Sequence, residues 1–77
     1  MPTVLREQGF RFIIYVNDHP PAHVHIQHQG NWAIIEFETR VFVRKNQGLN
    51  RREIAIAEIL VEDNAEFLLS EWRKIHG

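Results

Sequence analysis

The sequence predicts an α+β domain: a small, mainly antiparallel sheet of four or five strands followed by a C-terminal helix or helix pair. Two observations carry this. Up to about Arg44 the chain runs in short stretches of β-formers punctuated by Gly9, Asn17-Asp18 and Gly30. From Ile54 onward the period changes, and Ile54, Ala57, Val61, Ala65, Leu68, Trp72 and Ile75 recur at spacings of three or four.

Thr3 to Arg6 is short and part apolar and reads as an edge strand. Phe10 to Val16 reads as a central one, with Phe10, Phe12, Ile14 and Val16 facing the core and Arg11, Ile13 and Tyr15 facing away. A histidine-bearing strand follows from about Ala22 to Gln27, then a turn at Gln29-Gly30-Asn31 and a return strand from Trp32 to Glu38, the pattern of a hairpin. Thr39 to Arg44 alternates too, Val41 and Val43 opposite Arg40, Phe42 and Arg44, and is either a fifth strand or an extended connector. Asn46 to Asn50 breaks the chain. Asn50 and Glu53 then stand at capping-box spacing, which sets a helix start near Arg51. A continuous helix of about 25 residues would span roughly 38 Å, more than so small a sheet can cover. Asp63-Asn64-Ala65-Glu66 also resembles a capping box, so a kink or break there, giving two helices, stays open.

A chain of 77 residues makes one domain, 1–77, of a size that buries roughly 60% of its unfolded surface. It has no cysteine, so neither disulfides nor a thiolate zinc cluster can reinforce that core. No apolar run approaches the roughly 20 residues of a membrane helix, and Met1-Pro2-Thr3 lacks the basic start of a signal peptide, so a cytoplasmic location is expected. The net charge of -1 is unevenly spread. Between Thr39 and Arg52 lie Arg40, Arg44, Lys45, Arg51 and Arg52 with no acidic residue. From Glu53 to Trp72 there are acidic residues and no lysine or arginine. The basic stretch reads either as a nucleic-acid-binding phosphate track or as ordinary surface charge.

The chemistry concentrates in Asn17 to His28, N-D-H-P-P-A-H-V-H-I-Q-H, which holds four of the five histidines. On an extended backbone His23 and His25 project from one face while Val24 and Ile26 project from the other. A turn at Pro20-Pro21 can bring Asp18 and His19 back over that pair. Asp18, His19, His23 and His25 are therefore candidate ligands for a divalent metal such as zinc, iron or manganese. Without a metal, His19, His23 and His25 are candidate catalytic acids and bases for RNA cleavage, in which the ribose 2′-hydroxyl attacks and Arg11, Arg40 or Arg44 stabilises the phosphorane. The plain alternative is that these histidines cap turns and bond backbone groups. His28 has the opposite parity and carries less weight. Trp32 and Trp72 read as core or interface anchors rather than base-stacking platforms.

Met1-Pro2-Thr3-Val4-Leu5-Arg6, Gly9-Phe10-Arg11-Phe12, Asn17-Asp18-His19-x-Pro21-x-His23-Val24-His25 and Leu60-Val61-Glu62-x-Asn64-x-Glu66-x-Leu68-Leu69-x-x-Trp72 together resemble the small bacterial family known as domain of unknown function 4160. Its members usually carry a further proline where this chain has Ala22. The resemblance implies a gene that neighbours another small gene in toxin-antitoxin-like pairs. The expected function is the toxin-like component of such a pair, acting on RNA through the histidine strand. The rival expectation is a non-enzymatic binding module, an antitoxin-like regulator or a metal-binding interaction domain. Expected partners are the cognate small protein encoded nearby, RNA, or a second copy of the chain, with the Trp72 end of the helix as an anchor.

Overall fold

The computed structural model, which describes residues 3–77, runs β1 (Thr3–Glu7), β2 (Phe10–Ile13), β3 (His23–His28), β4 (Asn31–Glu36), β5 (Phe42–Gln47), α1 (Arg51–Asp63) and α2 (Ala65–His76). The five strands form one antiparallel sheet in the order of the sequence, so each strand joins its own neighbour. Met1 and Pro2, the start of the opening hexapeptide, lie outside the described residues.

Two of the hairpins turn in the same way. Gln8 and Gly9 both have positive φ, 53° and 81°, as do Gln29 and Gly30, 49° and 84°. Two successive left-handed residues make the connection whose twist matches that of paired strands, and glycine takes the second position without steric cost.

The registers Phe12 with Ile26, Ile26 with Ala33, and Val24 with Ile35 put one apolar set on one face of the sheet. There Phe10, Phe12, Ile14, Val24, Ile26 and Ile35 meet Ala57, Leu60, Val61, Leu68 and Trp72 of the helices in a single core. The core face expected for the second strand therefore holds for Phe10, Phe12 and Ile14 but not for Val16, which is 67% exposed. The reason is local. β2 stops at Ile13, and Tyr15 to Asp18 form a turn in which Asp18 donates its N–H to the Tyr15 carbonyl at 3.1 Å, leaving Val16 inside that turn. Ile13, expected to face away from the core, is also fully buried, paired with Thr3 on one side and His25 on the other.

The basic stretch does form a fifth strand, but it starts and ends later than Thr39 to Arg44. Asn46, expected in the break, is inside β5. Its side chain donates to the Leu49 carbonyl at 2.9 Å and accepts from the Leu49 N–H at 3.0 Å, closing the turn that buries Leu49.

α1 begins as its spacing requires: Glu53 donates its N–H to Asn50 Oδ1 at 2.8 Å, and Asn50 donates its N–H to Glu53 Oε1 at 2.9 Å. The helical half does break at Asn64, though without the second capping box. Asn64 instead donates its side-chain amide to the Leu60 carbonyl at 2.8 Å and to Glu7 Oε1 at 3.2 Å, so it ties the break to β1. No described helix is long and apolar enough to cross a membrane.

Candidate functional site

The turn that displaces Val16 also aims Asp18. Its Oδ2 accepts the Tyr15 N–H at 2.9 Å, which fixes the carboxylate over the first residues of β3. From there Oδ1 lies 3.4 Å from His23 Nε2 and Oδ2 lies 3.8 Å from His25 Nδ1. The expected return of the turn over the histidine pair thus happens for Asp18. His19 follows it on the rim of the same cleft, exposed, and is not among the side chains that converge. Asp18, His23 and His25 offer ligand atoms within 4.8 Å of one another.

The hydrogen bonding of His23 fixes the role of one ring nitrogen. Its Nδ1 is 2.9 Å from the Pro21 carbonyl, which can only accept, so Nδ1 carries the proton. Arg44 Nη2 also lies 3.4 Å from Nδ1, but a guanidinium cannot donate to a nitrogen already bearing hydrogen, so this contact is packing. A neutral His23 must then present the lone pair of Nε2 to Asp18 Oδ1. Two acceptors facing each other are stable only with a proton or another cation between them. At His25 the corresponding nitrogen, Nδ1, is buried and has no hydrogen-bond partner. Leaving such a group unmade costs about 1–3 kcal/mol, so the position calls for an explanation. Burial lowers the His25 pKa below its ordinary value; Asp18 opposes that shift, while His23 and Arg44 add to it. His25 therefore presents a neutral imidazole at neutral pH, the form that binds metals.

The cleft beside these groups has a volume of about 600 Å³ and is lined also by Glu36 and Arg44. Arg44 reaches it through an irregularity in the sheet. Ile34 pairs with Lys45 and Ile35 with Val43, so Arg44 is an extra residue in β5. A bulge of this kind re-aims side chains. Arg44 donates Nε to Glu36 Oε2 at 2.6 Å beside His23, while the next residue, Lys45, lies over the Trp32 ring at 5.5 Å. Two consecutive residues thus present to the face of the sheet opposite the core.

Of the other basic candidates, Arg40 lies over the Phe42 ring at 5.2 Å, just before β5, and Arg51 and Arg52 are exposed in the first turn of α1. Arg11 is held by Thr3 Oγ1 at 2.8 Å and Gln27 Oε1 at 3.3 Å, away from the cleft lining. Of the three cations considered for the phosphorane, Arg44 is the one that lines it.

Sequence reasoning missed Glu36, the acidic partner of Arg44, and Tyr15, whose ring meets His25 edge-on at 4.8 Å. Strand parity carried a signal for Tyr15, which was already on the face opposite Phe12. Trp72 is an anchor of the chain's own core, 7% exposed and 5.3 Å from the His23 ring, so it is not a free surface for a partner. Trp32 is not in the core: it is half-buried on the face opposite the helices. His23 is itself only 4% exposed, so His23→Ala would disturb packing as well as chemistry.

No curated protein and no solved structure matches the chain. The family model described as Domain of unknown function (DUF4160) matches residues 9–73, which include every residue of the cleft but not the opening hexapeptide. The chain belongs to that family.

Proposed function

We propose that Asp18, His23 and His25 hold a divalent metal, zinc or a related ion, and that the protein acts there on a phosphate-bearing substrate, RNA, as the toxin-like member of a bacterial gene pair. The observation that carries the metal reading is the convergence of ligand atoms from Asp18, His23 and His25 within 4.8 Å of one another, with His25 Nδ1 buried and without a hydrogen-bond partner. Bonds of about 2.0–2.1 Å to a tetrahedral zinc place ligand atoms roughly 3.3 Å apart. Asp18 Oδ1 already lies 3.4 Å from His23 Nε2, while His25 Nδ1 lies 3.8 Å from the other carboxylate oxygen and the ligand atoms as a set spread within 4.8 Å, so binding draws them together. Three protein ligands leave a coordination position for water or substrate, and the ion would supply Lewis-acid polarisation of a phosphoryl oxygen.

The chain's own residues do the rest. The Tyr15 N–H holds Asp18 in place, and the Pro21 carbonyl holds the His23 ring with Nε2 inward. Arg44, steadied by Glu36, places a positive charge in the same cleft, where a phosphate would sit. Lys45 adds a second cation on the same face of the sheet, while Arg40, Arg51 and Arg52 lie outside the cleft lining, the last two at the start of α1.

The burial of His23 favours a second reading, a metal-binding interaction domain in which the ion fixes the turn and no reaction follows. Growth separates the two. Under the first reading, expression of the protein alone arrests bacterial growth, co-expression of the neighbouring gene restores it, and Asp18→Asn abolishes the arrest. A harmless wild-type protein that still binds metal supports the interaction domain.

A further inference from the structure

The metal cleft continues into a second cavity, of about 310 Å³, lined by Tyr15, His25, Gln27, Trp32 and Ile34. His25 and Ile34 line both spaces, so a ligand can occupy them together. This volume lies at the low end of the roughly 300–1,000 Å³ of small-molecule sites. Its walls are two half-exposed aromatic rings and its apolar side chain is Ile34, a combination that favours a flat, aromatic occupant.

The polar groups around it are also sorted. Arg11 donates Nη1 to Gln27 Oε1 at 3.3 Å, which leaves the Gln27 amide NH₂ as the free end. That NH₂ can donate to a carbonyl or ring nitrogen at the edge of a base. Lys45, over the Trp32 ring at 5.5 Å, and Arg44, in the adjoining cleft, bring two cations to the same face through the bulge in β5. An aromatic surface flanked by cations is what an unpaired nucleotide needs, its base stacked and its phosphate neutralised.

We infer that the cavity between Tyr15 and Trp32 holds one unpaired base of single-stranded RNA, next to the nucleotide whose phosphate enters the metal cleft. This rests on the reading of RNA as substrate and adds the mode of recognition: a base is stacked on the open face of the sheet, and single strand is favoured over duplex because extruding a paired base costs a few kcal/mol.

The test uses the full-length, metal-loaded protein and single-stranded RNA octamers of adenosine or uridine. An abasic ribose-phosphate octamer of equal charge is the control, and metal content is measured on every variant. Stacking of this kind changes affinity roughly five- to 150-fold when the aromatic ring is removed. Trp32→Ala is therefore expected to weaken octamer binding by at least about fivefold without changing metal content or the slope of affinity against salt. Trp32→Phe is expected to restore most of the loss, and the abasic octamer to bind wild type no better than the base-bearing octamer binds Trp32→Ala. Wild-type RNA binding that Trp32→Ala leaves unchanged, or an abasic strand that binds as well as the octamers, overturns the base site while leaving RNA as substrate. Absence of octamer binding at low salt in metal-loaded wild type overturns both. Self-association of wild type that Trp32→Ala abolishes, with no RNA binding, assigns the face to a second copy of the chain.

Discussion

His25 and His28 lie three residues apart on the same strand, each beside a carboxylate, and they are satisfied in opposite ways. His28 donates its Nδ1–H to the Gly9 carbonyl at 3.1 Å, since a carbonyl can only accept. Its Nε2 faces Glu53 Oε2 at 3.4 Å, and its ring stacks on Phe10 at 4.4 Å between centroids. The side chain thus ties the end of β3 to the β1–β2 turn, to β2 and to the first turn of α1. His25 Nδ1, by contrast, is buried without a partner and faces a carboxylate already held by the Tyr15 N–H. His76 Nε2 is also buried without a partner, so an atom left over does not by itself mark a ligand; what sets His25 apart is that its free nitrogen lies beside Asp18 and His23.

The largest effect separating the two histidines is on metal affinity. Removing a ligand costs more than the roughly 10–100-fold that loss of an outer-shell partner costs. His25→Ala is therefore expected to weaken zinc binding by more than about 100-fold, and His28→Ala to leave it unchanged, both read by competition titration against a chelator of known affinity. Equal effects of the two substitutions would erase the distinction.

The ordering reverses for stability. His28→Ala removes a stacked ring and strands the Gly9 carbonyl, so it is expected to lower unfolding free energy by about 1–3 kcal/mol in urea denaturation. Without metal, His25→Ala removes an unsatisfied nitrogen and is expected to cost less than His28→Ala. An apo His25→Ala less stable than His28→Ala would mean that the His25 ring is structural. On the same helix start, Asn50→Ala removes the side-chain oxygen that accepts the Glu53 N–H and is expected to cost about 1 kcal/mol, with metal binding intact. Smallest of all is Val16→Ser, at an exposed turn position, expected within about 0.5 kcal/mol of wild type. A larger loss would show that the turn carrying Asp18 depends on more than its hydrogen bonds.

The parts of this molecule legible in its sequence are those set by neighbours along the chain. Alternation identified the inward faces of β2 and β3, and the spacing of Asn50 and Glu53 located the start of α1. The parity of His23 and His25, with a turn before them, pointed to Asp18 and His19 together. What could not be read depends on register or on a three-dimensional choice. The bulge that turns Arg44 into the cleft is an event between two strands, invisible in the alternation of one. The sequence does not distinguish Asp18 from His19 as the residue that reaches the histidines; the Tyr15 N–H does, by holding the Asp18 carboxylate. Ala22 shows the same limit. The resemblance to its family marked the absence of a proline there, and the structure gives that absence a use: the Ala22 N–H, which proline lacks, donates to Glu38 Oε1 at 2.9 Å.

The central claim is that the nitrogen left over at His25, with His23 and Asp18, belongs to a metal ion. Elemental analysis of protein purified without a histidine tag and without chelator tests it most directly, with Asp18→Asn as the comparison, because the asparagine retains a side-chain oxygen for the Tyr15 N–H while removing the charge. The expected result is about one zinc or related divalent ion per chain in wild type and a loss of most of it in Asp18→Asn, with circular dichroism unchanged. Folded wild-type protein with no metal above background, and none taken up on adding zinc, iron or manganese, would contradict the account.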